Sequence, residues 1–244
     1  MAATFLSNSE LYYSPEPISN SILVISGEEV HHIKDVMRHK IGDEIYATDG
    51  NGKIYKSVIE SITKNKMQCS TTEVRHYSNP FANFIFCLPR LRTQERFEFA
   101  LEKCVELGIT NFIIFDSIRT VAKGAKLDRW NKILLAAMKQ SVRAWLPQIK
   151  HVNSISEIAS YEGKRVMFEQ NSEILFNEFL KSPDSPVKHN NLYFVFGPEG
   201  GFADEEIAMT KQCSFVKLTE NRLRTETAVV TAASILSIEH GKSG

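Results

Sequence analysis

The sequence predicts an α/β protein in two parts: a small β-rich domain over residues 1–75 and a larger α/β domain over residues 76–244. Three observations carry that expectation. Short strands with turn signals between them fill Ser21 to Val74. The stretch Arg75-His76-Tyr77-Ser78-Asn79-Pro80 is polar and ends in proline, as a domain boundary does. From Asn83 onward, apolar strand-like runs alternate with amphipathic helical patterns, and that alternation calls for a parallel sheet with helices on both faces.

In the first part, Ser21–Ile25 reads as a strand. Ser26 is placed to cap a short helix from Glu28 to His39, with Glu29 completing a capping box. Ile41-Gly42-Asp43 ends that helix. Glu44–Thr48 and Lys53–Ile62 are strands joined by Asp49-Gly50-Asn51-Gly52, a strong hairpin turn. Met67–Val74 supplies another strand, and a module of this size suits a small barrel.

In the second part, Phe84–Leu88 is a buried-type strand. Arg96–Leu107 follows as a helix with Phe97, Ala100, Leu101, Cys104 and Val105 on one face, stopped by Gly108. Asn111–Phe115 is a strand and Leu127–Val142 a helix. Strands then fall at Arg165–Phe168, Leu192–Phe196 and Ser214–Leu218. Helices lie around Ile174–Leu180, from Ala203, and from Thr225 to Glu239. Ligands bind such sheets beyond the C-terminal ends of the strands.

Composition narrows the class. The chain of 244 residues is 43% apolar and 24% charged, ordinary for a globular protein. Lys+Arg and Asp+Glu both number 29, so no global field attracts polyanions. Locally, Arg119, Lys123, Lys126, Arg129, Lys132, Lys139, Arg143 and Lys150 stand against one acid, Asp128. Without interleaved acids for i,i+4 pairs, an anionic partner weighs as heavily as a solvated helix face. The four cysteines form no CxxC, so neither zinc nor a disulfide framework is expected, and Cys104 reads as a core residue. The N-terminus lacks the pattern of a signal peptide and no run approaches membrane-spanning length, which sets a cytoplasmic expectation without a membrane partner.

Chemistry concentrates in two stretches. Leu192–Phe202, LYFVFGPEGGF, is a strand stopped by Gly197-Pro198-Glu199-Gly200-Gly201 and followed by the acidic first turn of a helix. One glycine would serve a plain strand-to-helix turn; two glycines and a proline shape a backbone wall that a small molecule can approach. It is neither a Walker A loop nor GxGxxG, and with Glu199, Asp204, Glu205 and Glu206 nearby it suits a neutral or cationic ligand better than phosphate. The second stretch, Leu218–Ala228, LTENRLRTETA, lies between a strand and the last helix, with Thr225 placed to cap that helix. Capping leaves Arg222 and Arg224 unexplained, and the two loops together read as one cofactor pocket.

These residues resemble the ribosomal RNA small subunit methyltransferase E family of the SPOUT superfamily. GPEGGF with Glu205/Glu206 and then LRTETA carry the resemblance. His31-His32-Ile33 with Val36, Arg38 and Gly42-Asp43-Glu44, Glu106-Leu107-Gly108-Ile109, and Gln140-Ser141 with Arg143 and Pro147 extend it over nearly the whole chain. The chain departs from the family pattern at Val142 and at Thr219-Glu220-Asn221, where a glycine is usual, at Arg222 for isoleucine, and at Leu91-Arg92-Thr93-Gln94.

The resemblance implies a PUA-like RNA-binding barrel before a SPOUT domain with a deep trefoil knot, one of the exceptions to unthreaded connections. It implies a homodimer that uses S-adenosyl-L-methionine, without metal, to methylate uracil N3 of uridine 1498 in 16S rRNA of the small ribosomal subunit. The cofactor residues would be Phe196, Gly197, Pro198, Glu199, Gly200, Gly201, Leu218, Asn221, Leu223, Arg224, Thr225 and Ala228. Uracil N3 must lose a proton to attack, so Arg224 is a candidate for stabilising substrate or anion, and Glu199 or Glu226 for accepting the proton. Both glutamates have a plain alternative in loop or helix-start structure. Arg38, Arg119 and Arg143 are candidate RNA phosphate contacts. A SPOUT methyltransferase for another rRNA or tRNA nucleotide, and a non-catalytic RNA-binding protein, are the competing expectations.

Overall fold

A computed structural model describes residues 10–16, 18, 21–182, 191–209 and 213–240. The described residues divide into two compact units, one within 10–79 with 138–146, the other within 80–137 with 147–240.

The first unit is a five-stranded mixed sheet in the order β1-β3-β4-β5-β2. β2 (Ile22–Ser26), β3 (Glu44–Thr48), β4 (Lys53–Ile62) and β5 (Lys66–His76) pair antiparallel along that order. β1 (Leu11–Tyr13) runs parallel to β3, and three residues are too few for periodicity to announce a strand. Leu23, Ile25, Ile45, Ala47, Ile59 and Met67 fill one face together with Val30 and Ile33. The Ser14 hydroxyl donates to the Val24 carbonyl at 2.5 Å, bridging the gap between the sheet's two edges.

The first helix departs from expectation. α1 (Glu28–His31) continues only as a π-helical turn to Val36. Its N-cap is Gly27 at φ 70°, with no side-chain cap bond, so Ser26 does not cap it. The Glu29 carboxylate is drawn away from the expected box by the Tyr13 amide at 3.2 Å and Lys139 Nζ at 2.6 Å.

Residues 138–146 complete this unit. The Trp145 indole donates to the Tyr77 carbonyl at 3.0 Å, and Gly52 N donates to Ala144 O at 2.9 Å. Ala144 joins Leu11 and Ile54 in a second small core. The glycine turn after β3 is therefore both a hairpin and a seat for Trp145.

The second unit holds an all-parallel six-stranded sheet, ordered β11-β9-β10-β6-β7-β8. Its strands are β6 (Phe84–Pro89), β7 (Asn111–Phe115), β8 (Gln148–Val152), β9 (Lys164–Phe168), β10 (Leu192–Phe196) and β11 (Ser214–Val216). β8 escaped sequence reading because it is a half-exposed edge strand with polar residues at Gln148, Lys150 and His151. α4 (Ile155–Ser160) was also not anticipated and is six residues long.

β10 lies between β9 and β6, and all five of its residues are buried. Tyr193 and Val195 face a core with Ile155 and Ile158 of α4 and with Phe202. Phe194 and Phe196 face the other side, where Phe168 stacks on Phe196 at 4.5 Å and 11°. Such an aromatic pair adds about 0.5–1.5 kcal/mol beyond its burial, and it joins the last residues of β9 and β10, the base from which two loops depart. α2 (Gln94–Glu106) packs against α7 (Thr225–His240), with Cys104 Sγ 4.0 Å from Val229 O. Cys104 is fully buried, and burial pushes its thiol pKa up.

The basic segment is less bare than its own sequence suggests. Arg129 of α3 (Leu127–Gln140) forms a fork with Glu98 of α2 at 2.5 and 2.8 Å, and Lys139 pairs with Glu29. Lys150 lies over the Tyr161 ring at 4.1 Å. The acids that pair with it come from other elements, where an i,i+4 test cannot find them.

Candidate cofactor site

Loops leaving the C-terminal ends of β9, β10 and β11 line one cavity of about 530 Å³ in the second unit. That volume falls within the ~300–1,000 Å³ of small-molecule sites.

The loop after β10 is shaped by backbone. Gly201 N donates to Pro198 O at 2.8 Å, closing a turn that puts Gly201 at φ +71°. A Cβ on Gly197 would come within 3.2 Å of the Phe202 ring, so the absent side chain lets that ring fold back over the strand end. The Thr225 hydroxyl donates to Gly197 O at 2.9 Å and clips the start of α7 to this loop. Thr225 is thus not the cap. It is the first residue of α7, and Ala228 N bonds to Arg224 O at 2.8 Å, which gives Arg224 the capping position.

The loop after β11 is held by polar bonds. Gln170, in the loop after β9, donates from Nε2 to the carbonyls of Thr219 and Glu220, each at 3.2 Å. Thr219 Oγ1 donates to Asn221 O at 2.8 Å, and Lys217 pairs with Glu220 at 2.9 Å. Thr219, Glu220 and Asn221 thus form a closed turn.

The cavity brings together most of the residues expected at a cofactor. Phe196, Gly197, Pro198, Glu199 and Gly201 line it from one loop; Leu218, Leu223, Arg224, Thr225 and Ala228 line it from the other. Gly200 and Asn221 are not on its wall; the Gly200 carbonyl instead accepts from Arg119 Nη1 at 3.2 Å. Sequence reasoning missed Phe168, Glu169 and Gln170, although the rule for strand C-terminal ends points to the loop after β9 as well. It also missed Phe202 and Lys217 as lining residues, and Arg96, which α2 contributes, whereas Arg222, expected at the rim, lines the wall. With Arg96, Lys217, Arg222 and Arg224 against Glu169 and Glu199, the wall is richer in cations than the Gly-rich loop alone suggested.

The two candidate acids separate. Glu199 is exposed on the cavity wall. Glu226 is buried off it, with Oε1 at 3.6 Å from Arg96 Nε and Oε2 without a hydrogen-bond partner among the described residues. Among the RNA candidates, Arg38 is exposed in the first unit at φ +61°. Arg143 is half-buried in the same unit, where burial holds its guanidinium below the usual arginine value. Arg119, in the second unit, is exposed and bonded to the Gly-rich loop.

Comparison with known proteins agrees with this fold. A family model described as RNA methyltransferase domain matches residues 79–237, and one described as RNA methyltransferase PUA domain matches 25–71. The ribosomal RNA small subunit methyltransferase E of Bacillus subtilis (strain 168) is 31% identical over 228 residues, spanning 88% of this chain and 89% of its own. The crystal structure of a probable rRNA-methyltransferase from Porphyromonas gingivalis matches with a TM-score of 0.78 at 26% identity, over 95% of this chain and 98% of its own. A ribosomal RNA small subunit methyltransferase E from Neisseria gonorrhoeae, crystallised bound to S-adenosyl methionine, shares the fold with a TM-score of 0.81 at 24% identity, over 95% and 98% of the two chains. With a domain match over more than half its length and a relative at this identity, the chain belongs to the ribosomal RNA small subunit methyltransferase E family.

Proposed function

We propose that this protein uses S-adenosylmethionine to methylate N3 of uracil at uridine 1498 of 16S rRNA. One observation supports this above the rest: the two Gly- and Arg-bearing loops converge on a single cavity whose wall includes both Glu199 and Arg224. The cavity suits the cofactor. It has apolar surface from Phe168, Phe196, Leu218 and Leu223 for a nucleoside, a side-chain-free stretch at Gly197 and Gly201, and charged groups of both signs for an amino-acid end.

When bound, the cofactor supplies an activated methyl group, so the protein's work is orientation and charge. In this proposal, Gly197–Gly201 and Leu218–Ala228 hold the cofactor. Arg224, at the start of α7, stabilises the negative charge that grows on uracil as N3 loses its proton, and the helix N-terminus adds to that field. Glu199 is the better-placed proton acceptor, because it faces the cavity while Glu226 is turned toward Arg96. Arg38 and Arg143 contact RNA phosphates from the first unit. The protein is a cytoplasmic homodimer; among the described residues no helix is long and apolar enough to cross a membrane.

The test is methylation of small-subunit particles with labelled cofactor and mapping of the modified nucleotide. Wild type should place N3-methyluridine at the one uridine. Arg224→Ala should lower kcat about 100-fold, and Glu199→Gln should lower kcat while Glu226→Gln does not. Methylation of a different nucleotide would refute the substrate, and unaltered kinetics of Glu199→Gln would leave solvent as the acceptor.

A further inference from the structure

Glu206 is one of the most buried charged residues in the described structure, 2% exposed in α6 (Asp204–Met209). No cation pairs with it among the described residues. Three donors converge on its carboxylate instead: Ser117 Oγ at 3.1 Å and Ala203 N at 2.8 Å on Oε2, and Ile118 N at 3.1 Å on Oε1. Burying a carboxylate is costly unless such bonds compensate it. An apolar side chain in the same space would leave these donors without their acceptor, so the carboxylate ties together the segments that supply them.

It joins two loops. Ala203 lies two residues beyond Gly201 of the Gly-rich loop, while Ser117 and Ile118 are the second and third residues of the loop after β7. The next residue, Arg119, donates from Nη1 to Gly200 O at 3.2 Å, and its Cβ lies 3.5 Å from where a Cβ on Gly200 would stand. The base of the β7 loop is pinned as well: Asp116 accepts from Gly124 N at 3.1 Å, with His151 Nε2 at 3.3 Å. The loop is therefore fixed at its base by Asp116 and beside the Gly-rich turn by Glu206.

We propose that Glu206 is a positioning residue: through Ser117 and Ile118 it holds Arg119 as a buttress behind Gly200, and so fixes the backbone wall on which the cofactor rests. This deepens the cofactor reading above and rests on it. Arg119 then acts chiefly on the cofactor loop.

Glu206→Gln tests it, because the amide keeps the shape but faces a backbone N–H with a donor at one of its two positions. Titration calorimetry with S-adenosylmethionine should show Kd raised about tenfold for Glu206→Gln, the loss of one charged hydrogen bond. Without ligand, the Gly201 amide, whose own partner is Pro198, should exchange faster in the variant. Leu134→Ala, in the buried face of α3, is the control: it should lower Tm and leave both readings at wild-type values. A Glu206→Gln protein that loses Tm alone, with Kd and Gly201 exchange unchanged, would reduce Glu206 to a structural residue and overturn the proposal. If the wild type itself binds no S-adenosylmethionine, the cofactor reading fails, and unchanged Gly201 exchange would then separately refute the buttress.

Discussion

Two glycine turns, both at the C-terminal ends of strands, serve opposite purposes. Asp49–Gly52 follows β3 in the first unit; Gly197–Gly201 follows β10 in the second. At the first, the space that a side chain would take is already filled by the chain itself. A Cβ on Gly52 would lie 2.4 Å from the Trp145 ring, and one on Gly50 2.8 Å from Leu146 Cβ. At the second, Gly200 and Gly201 have nothing closer than 3.5 Å, and the loop opens onto the cavity. A glycine pair in sequence announces a close approach to backbone without saying what approaches. Here the partner is an indole in one unit and, by our proposal, a cofactor in the other.

The contrast breaks most visibly at Gly52. An alanine there meets the Trp145 ring, which is tethered to Tyr77 O, and must also adopt φ +86°. Gly52→Ala should destabilise the protein by about 3 kcal/mol, combining left-handed backbone cost with overpacking. Urea denaturation measures it; a loss below the ~1 kcal/mol of the backbone cost alone would mean that Trp145 gives way freely. At Gly201 the balance should reverse. Its φ of +71° costs an alanine about 1 kcal/mol of stability, since no atom lies within 3.5 Å. Because Gly201 lines the cavity, Gly201→Ala should weaken S-adenosylmethionine binding by about tenfold or more. Equal cofactor affinity in Gly201→Ala would place the ligand elsewhere on the wall.

The same contrast shows what the sequence could and could not reveal. β3, β4, β7 and β10 were legible to the residue because their apolar patterns are local. The two loops that line the cavity stood out because glycine, proline and paired arginines interrupt that pattern where a parallel sheet puts its ligands. What stayed hidden depends on partners distant in sequence. Arg119 meets Gly200 across 81 residues and Lys139 meets Glu29 across 110. Arg96 reaches the cavity from a helix whose apolar face reads as ordinary packing. Thr225 looked like a cap because threonine before a helix usually is one, yet its hydroxyl is taken by Gly197.

A third backbone position sharpens the comparison by lacking the glycine that its geometry favours. Val142 sits at φ +55° in the first unit. A β-branched side chain in the left-handed region costs about 1–2 kcal/mol, and this one recovers part of that by packing beside Leu11, Ile54 and Ala144. Val142→Gly would relieve the strain but lose the packing and add about 0.5–1 kcal/mol of unfolded-state entropy, so its net change should be small. Val142→Ala loses the packing and keeps the strain. The order expected from urea denaturation is therefore glycine above alanine by about 1 kcal/mol, the inverse of their order at ordinary positions. Neither variant should change cofactor affinity, since Val142 is no part of the cavity wall. Alanine above glycine would show that the backbone here relaxes away from the left-handed region once valine is removed, and that valine's packing, more than the turn, sets the conformation.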